Sequence, residues 1–331
     1  MTRRGMRRPG AAPAIVVAVL LGAACSAPQL AAPPDVTAPP TTAASAPAQP
    51  ECTSEEAALD PTRSYAPDGP LPGPGEMPSG STMAAIQERG RLIVGVSADT
   101  LQFGARDPIT NQIEGFDIDM LKEVATAIFG DADPSRIEYR VITYAQRLPS
   151  LEAGDVDLVA HTMTINCNRW LRIGFSSTYY DAGQKVLVGE SSGFGSVEDL
   201  VAAEARVCVP SGSTNLEELS KPQYAGVELI ERPDITDCLV ALQQGEADAA
   251  SGDDTVLVGL AQQDPNLVVV GEAFTSEPYG IGVNADQVDL VRFVNAVLEQ
   301  VRSSGRWSDL YEQWVGAPAP APPEPVYGRE P

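Results

Sequence analysis

Apolar and polar positions fall into short blocks along the middle of the chain. Arg91–Ser97 (RLIVGVS) is an apolar run that predicts a buried strand. The stretch opened by Gly115-Phe116-Asp117-Ile118-Asp119 places Phe116, Met120, Leu121, Val124, Ala125 and Ile128 at helical spacing. Ile137–Ile142 predicts a strand, Tyr144–Ala153 a helix and Val156–Ala160 another strand. That order predicts a mainly parallel sheet covered by helices. A second set follows. Strands are expected over Arg206–Pro210, Val227–Glu231, Ala247–Ser251 and Leu267–Gly271, and helices over Ile235–Gln244 and Asp254–Gln263, with a turn at Ser211–Thr214 feeding a helix. Gly280–Asn284 and a long amphipathic helix, Val288–Val301, precede Trp307–Trp314. The two sets match in size and order, with no repeat at the level of residues. Two α/β lobes enclosing a cleft are the natural reading, and ligands favour such clefts.

The ends of the chain read differently. Arg3, Arg4, Arg7 and Arg8 precede an apolar run, Ala14–Leu21, so residues 1–24 form a charged region and a short hydrophobic region, as in an export signal. The run is shorter than the ~20 residues a membrane-spanning helix needs. Leu21-Gly22-Ala23-Ala24-Cys25 resembles a bacterial lipobox, which implies lipidation of Cys25, although Leu21 stands one position further from the cysteine than usual. Residues 25–80 are rich in Pro, Ala, Thr and Ser, and hold 13 of the 29 prolines. They read as a disordered or polyproline-like tether, and residues 316–331 as a disordered tail.

Charge and cysteine content narrow the function. The 331 residues carry 22 Lys+Arg against 45 Asp+Glu, a formal charge of −23. Such a surface repels nucleic acid. A single histidine, His161, excludes a His-rich metal site, and no cofactor is expected. Besides Cys25 there are Cys52, Cys167, Cys208 and Cys238; four cysteines in an exported chain suggest disulfides, with three pairings open.

A set of motifs in fixed order then carries a resemblance. Gly115-Phe116-Asp117-Ile118-Asp119 is followed by Arg147-Leu148-Pro149-Ser150-Leu151-Glu152-Ala153-Gly154-Asp155-Val156-Asp157, by Thr162-Met163-Thr164-Ile165-Asn166 with Arg169, and by Phe175-Ser176. Gly212-Ser213-Thr214, Ala241-Leu242-Gln243-Gln244-Gly245, Ala247-Asp248-Ala249 and Asp253 complete it. Over nearly all of Ser81–Val315 the chain resembles the polar amino-acid-binding proteins of bacterial ABC importers, of the glutamate, glutamine and aspartate type. The resemblance implies a type II periplasmic-binding-protein fold, α/β and two-lobed, with lobe 1 over 81–187 and 272–315 and lobe 2 over 188–271. It also implies an extracytoplasmic, lipid-anchored monomer that binds glutamate, aspartate, asparagine or glutamine, performs no chemistry, and meets the membrane subunits of an importer. A sensor signalling to a membrane partner, and a cyclohexadienyl-dehydratase-like enzyme on the same scaffold, are the alternatives.

A free amino acid offers a carboxylate, an ammonium and a side chain, and burying either charge without a partner is costly. In the family, the arginine that follows the Thr-x-Thr segment grips the α-carboxylate, and Arg169 holds that position. Thr162 and Thr164 add polar groups from the same loop, and Thr214 adds one at the start of a helix. Asp253 matches the family's acceptor for the ammonium, with Asp254 as its competitor. Arg147 is similar to an arginine set against the distal carboxylate in glutamate and aspartate binders, and Tyr144 walls the pocket. Those binders can carry a second arginine on the first strand-loop, where this chain has Ser97-Ala98-Asp99-Thr100, with Ser97 as the candidate ligand contact there. Amide ligands therefore remain open. Asp117 and Asp119 read as helix-start groups, Asp157 and Asp248 as polar anchors between loop and strand, and His161 as packing. The resemblance suggests a Cys208–Cys238 disulfide, which leaves Cys52–Cys167.

Overall fold

The computed structural model describes residues 52–53, 59–131, 133–316 and 318–330. Cys25 and the expected export signal lie outside them. Two five-stranded sheets, each with its own apolar core, form the two lobes. In lobe 1 the order is Ile137–Val141, Leu92–Val96, Leu158–Val159, Gly282–Asn284 and Ile173–Phe175. In lobe 2 it is Glu228–Arg232, Arg206–Pro210, Ala249–Asp253, Gln184–Gly189 and Leu267–Val270. Each sheet pairs its first three strands in parallel and inserts the fourth antiparallel. The helix Phe116–Phe129 buries Phe116, Met120, Leu121, Val124 and Ile128 in the lobe 1 core, the stripe its spacing predicts. Gly115 precedes it at φ +142°, where a Cβ would stand 2.2 Å from the Phe103 carbonyl oxygen, so only glycine fits.

The chain crosses between lobes on two strands that the apolar pattern does not reveal. Tyr180–Ala182 pairs antiparallel with Glu277–Tyr279. Each is three residues long, and Glu277 is as buried as its neighbours. The strand Gln184–Gly189 belongs entirely to the lobe 2 sheet, so that lobe begins before the expected boundary at 187. After the second crossing the helix Val288–Ser303 and the helix Arg306–Trp314 return to lobe 1, where the Trp307 indole donates to the Tyr179 carbonyl at 2.7 Å.

Both proline-rich ends differ from expectation where they are described. Ser64 is fully buried, and its hydroxyl donates to the Phe175 carbonyl at 2.7 Å. Met77 is buried in the lobe 1 core, and Tyr65 and Leu71 pack against it. Tyr327 of the expected tail forms a parallel bridge with Ser64, and its hydroxyl donates to Glu299 at 2.7 Å. Residues 59–80 and 318–330 thus lie on lobe 1. Scattered apolar and aromatic side chains supply anchor points, and proline lowers the entropy lost when such segments are fixed. Disulfides join Cys208 to Cys238 and Cys52 to Cys167, with Cα–Cα separations of 5.4 and 6.0 Å.

Candidate functional site

The lobes meet where strand ends and short turns face one another. Lobe 1 contributes Ser97–Thr100, the turn Tyr144–Gln146 with the helix Arg147–Glu152 behind it, the loop 161–166 and the one-turn helix Cys167–Trp170. Lobe 2 contributes the turn 211–213, the helix Thr214–Leu219 and the C-terminal end of the strand Ala249–Asp253.

Two buried arginines dominate this region. Arg147 donates from Nε to the Tyr144 carbonyl at 3.0 Å, from Nη1 to the His161 carbonyl at 3.1 Å, and from Nη2 across the lobes to the Gly212 carbonyl at 3.1 Å. Its guanidinium lies 4.6 Å from the centre of the Tyr144 ring, a favourable cation–π contact. Arg169 donates from Nη1 to the Thr164 carbonyl at 2.7 Å, and its Nη2 reaches the same Gly212 oxygen at 3.5 Å. Burial, and then the like charge of Arg169, push the Arg147 guanidinium down to about 9. Burial lowers Arg169 as well. Among the described residues neither arginine has a carboxylate within ion-pair distance.

The acidic groups stand on the other side. Asp253 accepts from the Tyr279 hydroxyl at 2.6 Å and from Asn215 Nδ2 at 3.3 Å. Burial, followed by the charge of Glu277, raises its carboxyl to about 7. Asp254 instead accepts from the Thr255 amide at 2.8 Å, while its own amide donates to the Gly183 carbonyl at 2.8 Å, at the start of its helix. Glu277, which sequence reasoning missed, is buried and joins the lobes. One of its oxygens accepts from Thr164 of lobe 1 at 2.7 Å and Thr214 of lobe 2 at 2.8 Å. The other accepts from Gln184 at 2.9 Å and Thr275 at 2.7 Å. Its only sequence signal is an acid between apolar stretches on a crossing strand too short to recognise.

The remaining candidates take supporting places. The Asp117 carboxylate accepts from the Thr162 amide at 2.8 Å and from the Tyr179 hydroxyl at 2.6 Å, and so fixes the 161–164 loop. Asp117 is therefore more than a helix-start group. Burial raises its carboxyl to about 6. Thr162 sits at φ +42°, a left-handed conformation held by that bond. The Ser97 hydroxyl turns into its own loop, 2.7 Å from Asp99 Oδ1, and Asp99 in turn accepts from Thr236 of lobe 2. His161 packs edge-on against Tyr144 with ring centres 4.8 Å apart. Burial and Arg147 lower it to about 4, so its ring is neutral in ordinary solution. Asp157 accepts from the Ile93 amide and Asp248 from the Arg206 amide, each tying a loop to a strand.

A cavity of about 830 Å³ opens beside this region, lined by Thr164, Asn166, Gln184, Thr214, Glu217 and Glu277 among others, but by neither arginine. The guanidiniums and Asp253, rather than the cavity, mark where charges converge. Among the described residues no cluster of His, Cys, Asp and Glu could hold a metal ion. Chemically the arrangement can pair an anion with two guanidiniums and a cation with Asp253.

Residues 92–317 match the family described as bacterial extracellular solute-binding proteins, family 3. The glutamine-binding protein GlnH of an ABC transporter from Bacillus subtilis is 35% identical over 234 residues, covering 71% of this chain and 84% of that protein. The glutamate-binding protein GluB of Corynebacterium efficiens is 32% identical over 251 residues, 73% and 84% of the two chains. Among solved structures, holo ArgBP from T. maritima superposes with a TM-score of 0.62 at 33% identity, over 70% of this chain and 99% of that one.

Proposed function

Because this chain belongs to the bacterial extracellular solute-binding proteins of family 3, we propose that it captures an acidic or amide amino acid by cleft closure and delivers it to an ABC importer, performing no chemistry itself. One observation carries the reading: two buried guanidiniums, without a carboxylate partner among the described residues, converge on the Gly212 carbonyl from the opposite lobe. An anion is what such a pair lacks. Arg169 takes the α-carboxylate, Asp253 the ammonium and Arg147 the side-chain carboxylate or carboxamide. Thr162, Thr164 and Thr214 line the approach, and Tyr144 closes the floor under Arg147. Each charge-assisted bond contributes roughly 1.5–3 kcal/mol. A ligand held by both lobes binds the closed arrangement better than the open one, which is what drives closure.

A lysine or arginine ligand would bring a third cation against Arg147, and an aliphatic side chain would leave that guanidinium desolvated without compensation. Calorimetric titration with all twenty amino acids tests this. Glutamate and aspartate should bind, asparagine and glutamine should be tolerated, and leucine, lysine and arginine should not bind. Preference for a cationic amino acid would overturn the assignment. The same reading places the protein outside the cytoplasm, anchored through an acylated Cys25. The wild-type protein should then partition with membranes and Cys25→Ala should not.

A further inference from the structure

Arg169 sits on a helix of one turn, Cys167–Trp170. So short a helix has no stability of its own, and its neighbours decide where Arg169 points. The other three residues of that turn are held by segments from both ends of the chain. Cys167 is bonded to Cys52. Asn168 Oδ1 accepts from the Cys52 amide at 3.0 Å. The Trp170 indole donates to the Pro61 carbonyl at 2.7 Å, and Tyr65 meets its ring edge-on at 6.1 Å. Arg329, from the C-terminal segment, lays its guanidinium 3.7 Å from the centre of the Trp170 ring, and its Nε donates to the Arg63 carbonyl at 3.1 Å. The two segments are thus tied to each other as well as to the helix. Both segments lie outside the stretch that matches the family, residues 92–317.

We propose that these terminal segments form a strap that positions Arg169, so that amino-acid affinity is set in part by residues that make none of the proposed bonds to the ligand. The inference rests on the proposed role of Arg169 as the carboxylate grip. Cys52, Cys167 and Arg329 are positioning residues: none of them is among the groups assigned above to the ligand's carboxylate, ammonium or side chain. The strap fixes the backbone from which Arg169 extends and so lowers the ordering cost of gripping the carboxylate.

The test uses the mature chain and glutamate as the probe. Cys52→Ser/Cys167→Ser and, separately, Arg329→Ala are made in the wild-type and in an Arg169→Lys background. Glutamate affinity is read by calorimetry, and ligand-free melting confirms folding. Each strap variant should weaken glutamate binding by about tenfold or more beside Arg169 and by no more than about twofold in the Arg169→Lys background, because the coupled residue is already changed. If the cysteine pair fails to fold, Arg329→Ala, which removes only a half-buried contact, decides the matter. Wild-type affinity in the folded strap variants, or equal losses in both backgrounds, would overturn the strap. Arg169→Lys binding glutamate as tightly as wild type would instead overturn the carboxylate assignment, and the strap with it.

Discussion

Gly212→Ala should separate closure from folding. Gly212 sits in lobe 2 at φ +76°, and a Cβ there would stand 2.8 Å from the Ala145 Cα and 3.2 Å from the Ala145 nitrogen, both backbone atoms of lobe 1. Carbon atoms settle at about 3.5–4.0 Å, so the lobes would have to part by roughly 1 Å. The Gly212 oxygen accepts from Arg147 Nη2 at 3.1 Å and lies 3.5 Å from Arg169 Nη2. Parting by that much carries both beyond hydrogen-bond reach. Counting only the shorter bond, a buried charge-assisted contact, the closed state loses about 1.5–3 kcal/mol, which corresponds to about 10- to 150-fold in Kd. The left-handed backbone costs alanine about 1–2 kcal/mol in open and closed states alike, so it lowers stability without altering closure. Titration calorimetry should show the loss of affinity. Small-angle scattering should show that glutamate no longer compacts the variant, while ligand-free melting falls by only about 2–8 °C. A variant that binds glutamate and compacts as the wild type does would refute the reasoning.

Arg147→Met should weaken glutamate more than glutamine by about 5- to 30-fold, since the guanidinium meets a full opposite charge on the carboxylate but only a dipole on the carboxamide, a difference of about 1–2 kcal/mol; equal losses in parallel titrations would reduce Arg147 to a lobe-to-lobe contact. Asp253 must be ionised to accept an ammonium, and its carboxyl is raised to about 7. Affinity should therefore fall as pH drops from about 8 to 5, by up to about tenfold per unit. The sign for ligand-free stability is opposite. A carboxyl raised above its unfolded value of 3.8 adds stability at low pH and loses it as pH rises through about 7. Asp253→Asn should flatten both profiles, and Glu277→Gln should move the binding midpoint down; a pH-independent wild-type affinity would exclude Asp253 as the acceptor. Cys208→Ala/Cys238→Ala opens a bridge between residues 30 apart, and urea unfolding should show a loss of roughly 3–4 kcal/mol in the chain-entropy picture, with a loss below about 1 kcal/mol counting against it.

By itself the sequence determined the elements that bury an apolar face at a regular period. The strand Arg206–Pro210 runs from the first residue to the last of its expected span, and the helices that begin at Ile235, Asp254 and Val288 start where their patterns do. A core-facing stripe of Val, Leu and Ile can be read locally, because burial on one side and exposure on the other impose the period. The family resemblance grouped Arg147, Arg169, Thr164, Thr214 and Asp253; of these Arg147 and Thr214 open helices and Asp253 ends a strand, while Thr164 lies in a loop and Arg169 on a one-turn helix.

Only the tertiary structure decided what depends on contacts between remote segments. Glu277 is an isolated acid in the sequence, and becomes the group on which Thr164 and Thr214 converge once the two crossing strands pair. Asp117 reads as a helix start, and the fold turns it to the Thr162 amide 45 residues away. The proline-rich ends carry no period at all, since polyproline-like chain makes no internal hydrogen bonds. Their order comes from Ser64, Tyr65, Tyr327 and Arg329 finding partners on lobe 1 and on each other. Local pattern records which face of an element must be dry; it does not record which distant group will satisfy a buried polar atom. That is settled when the lobes assemble, because an unsatisfied buried charge or amide costs more than any local preference can offset.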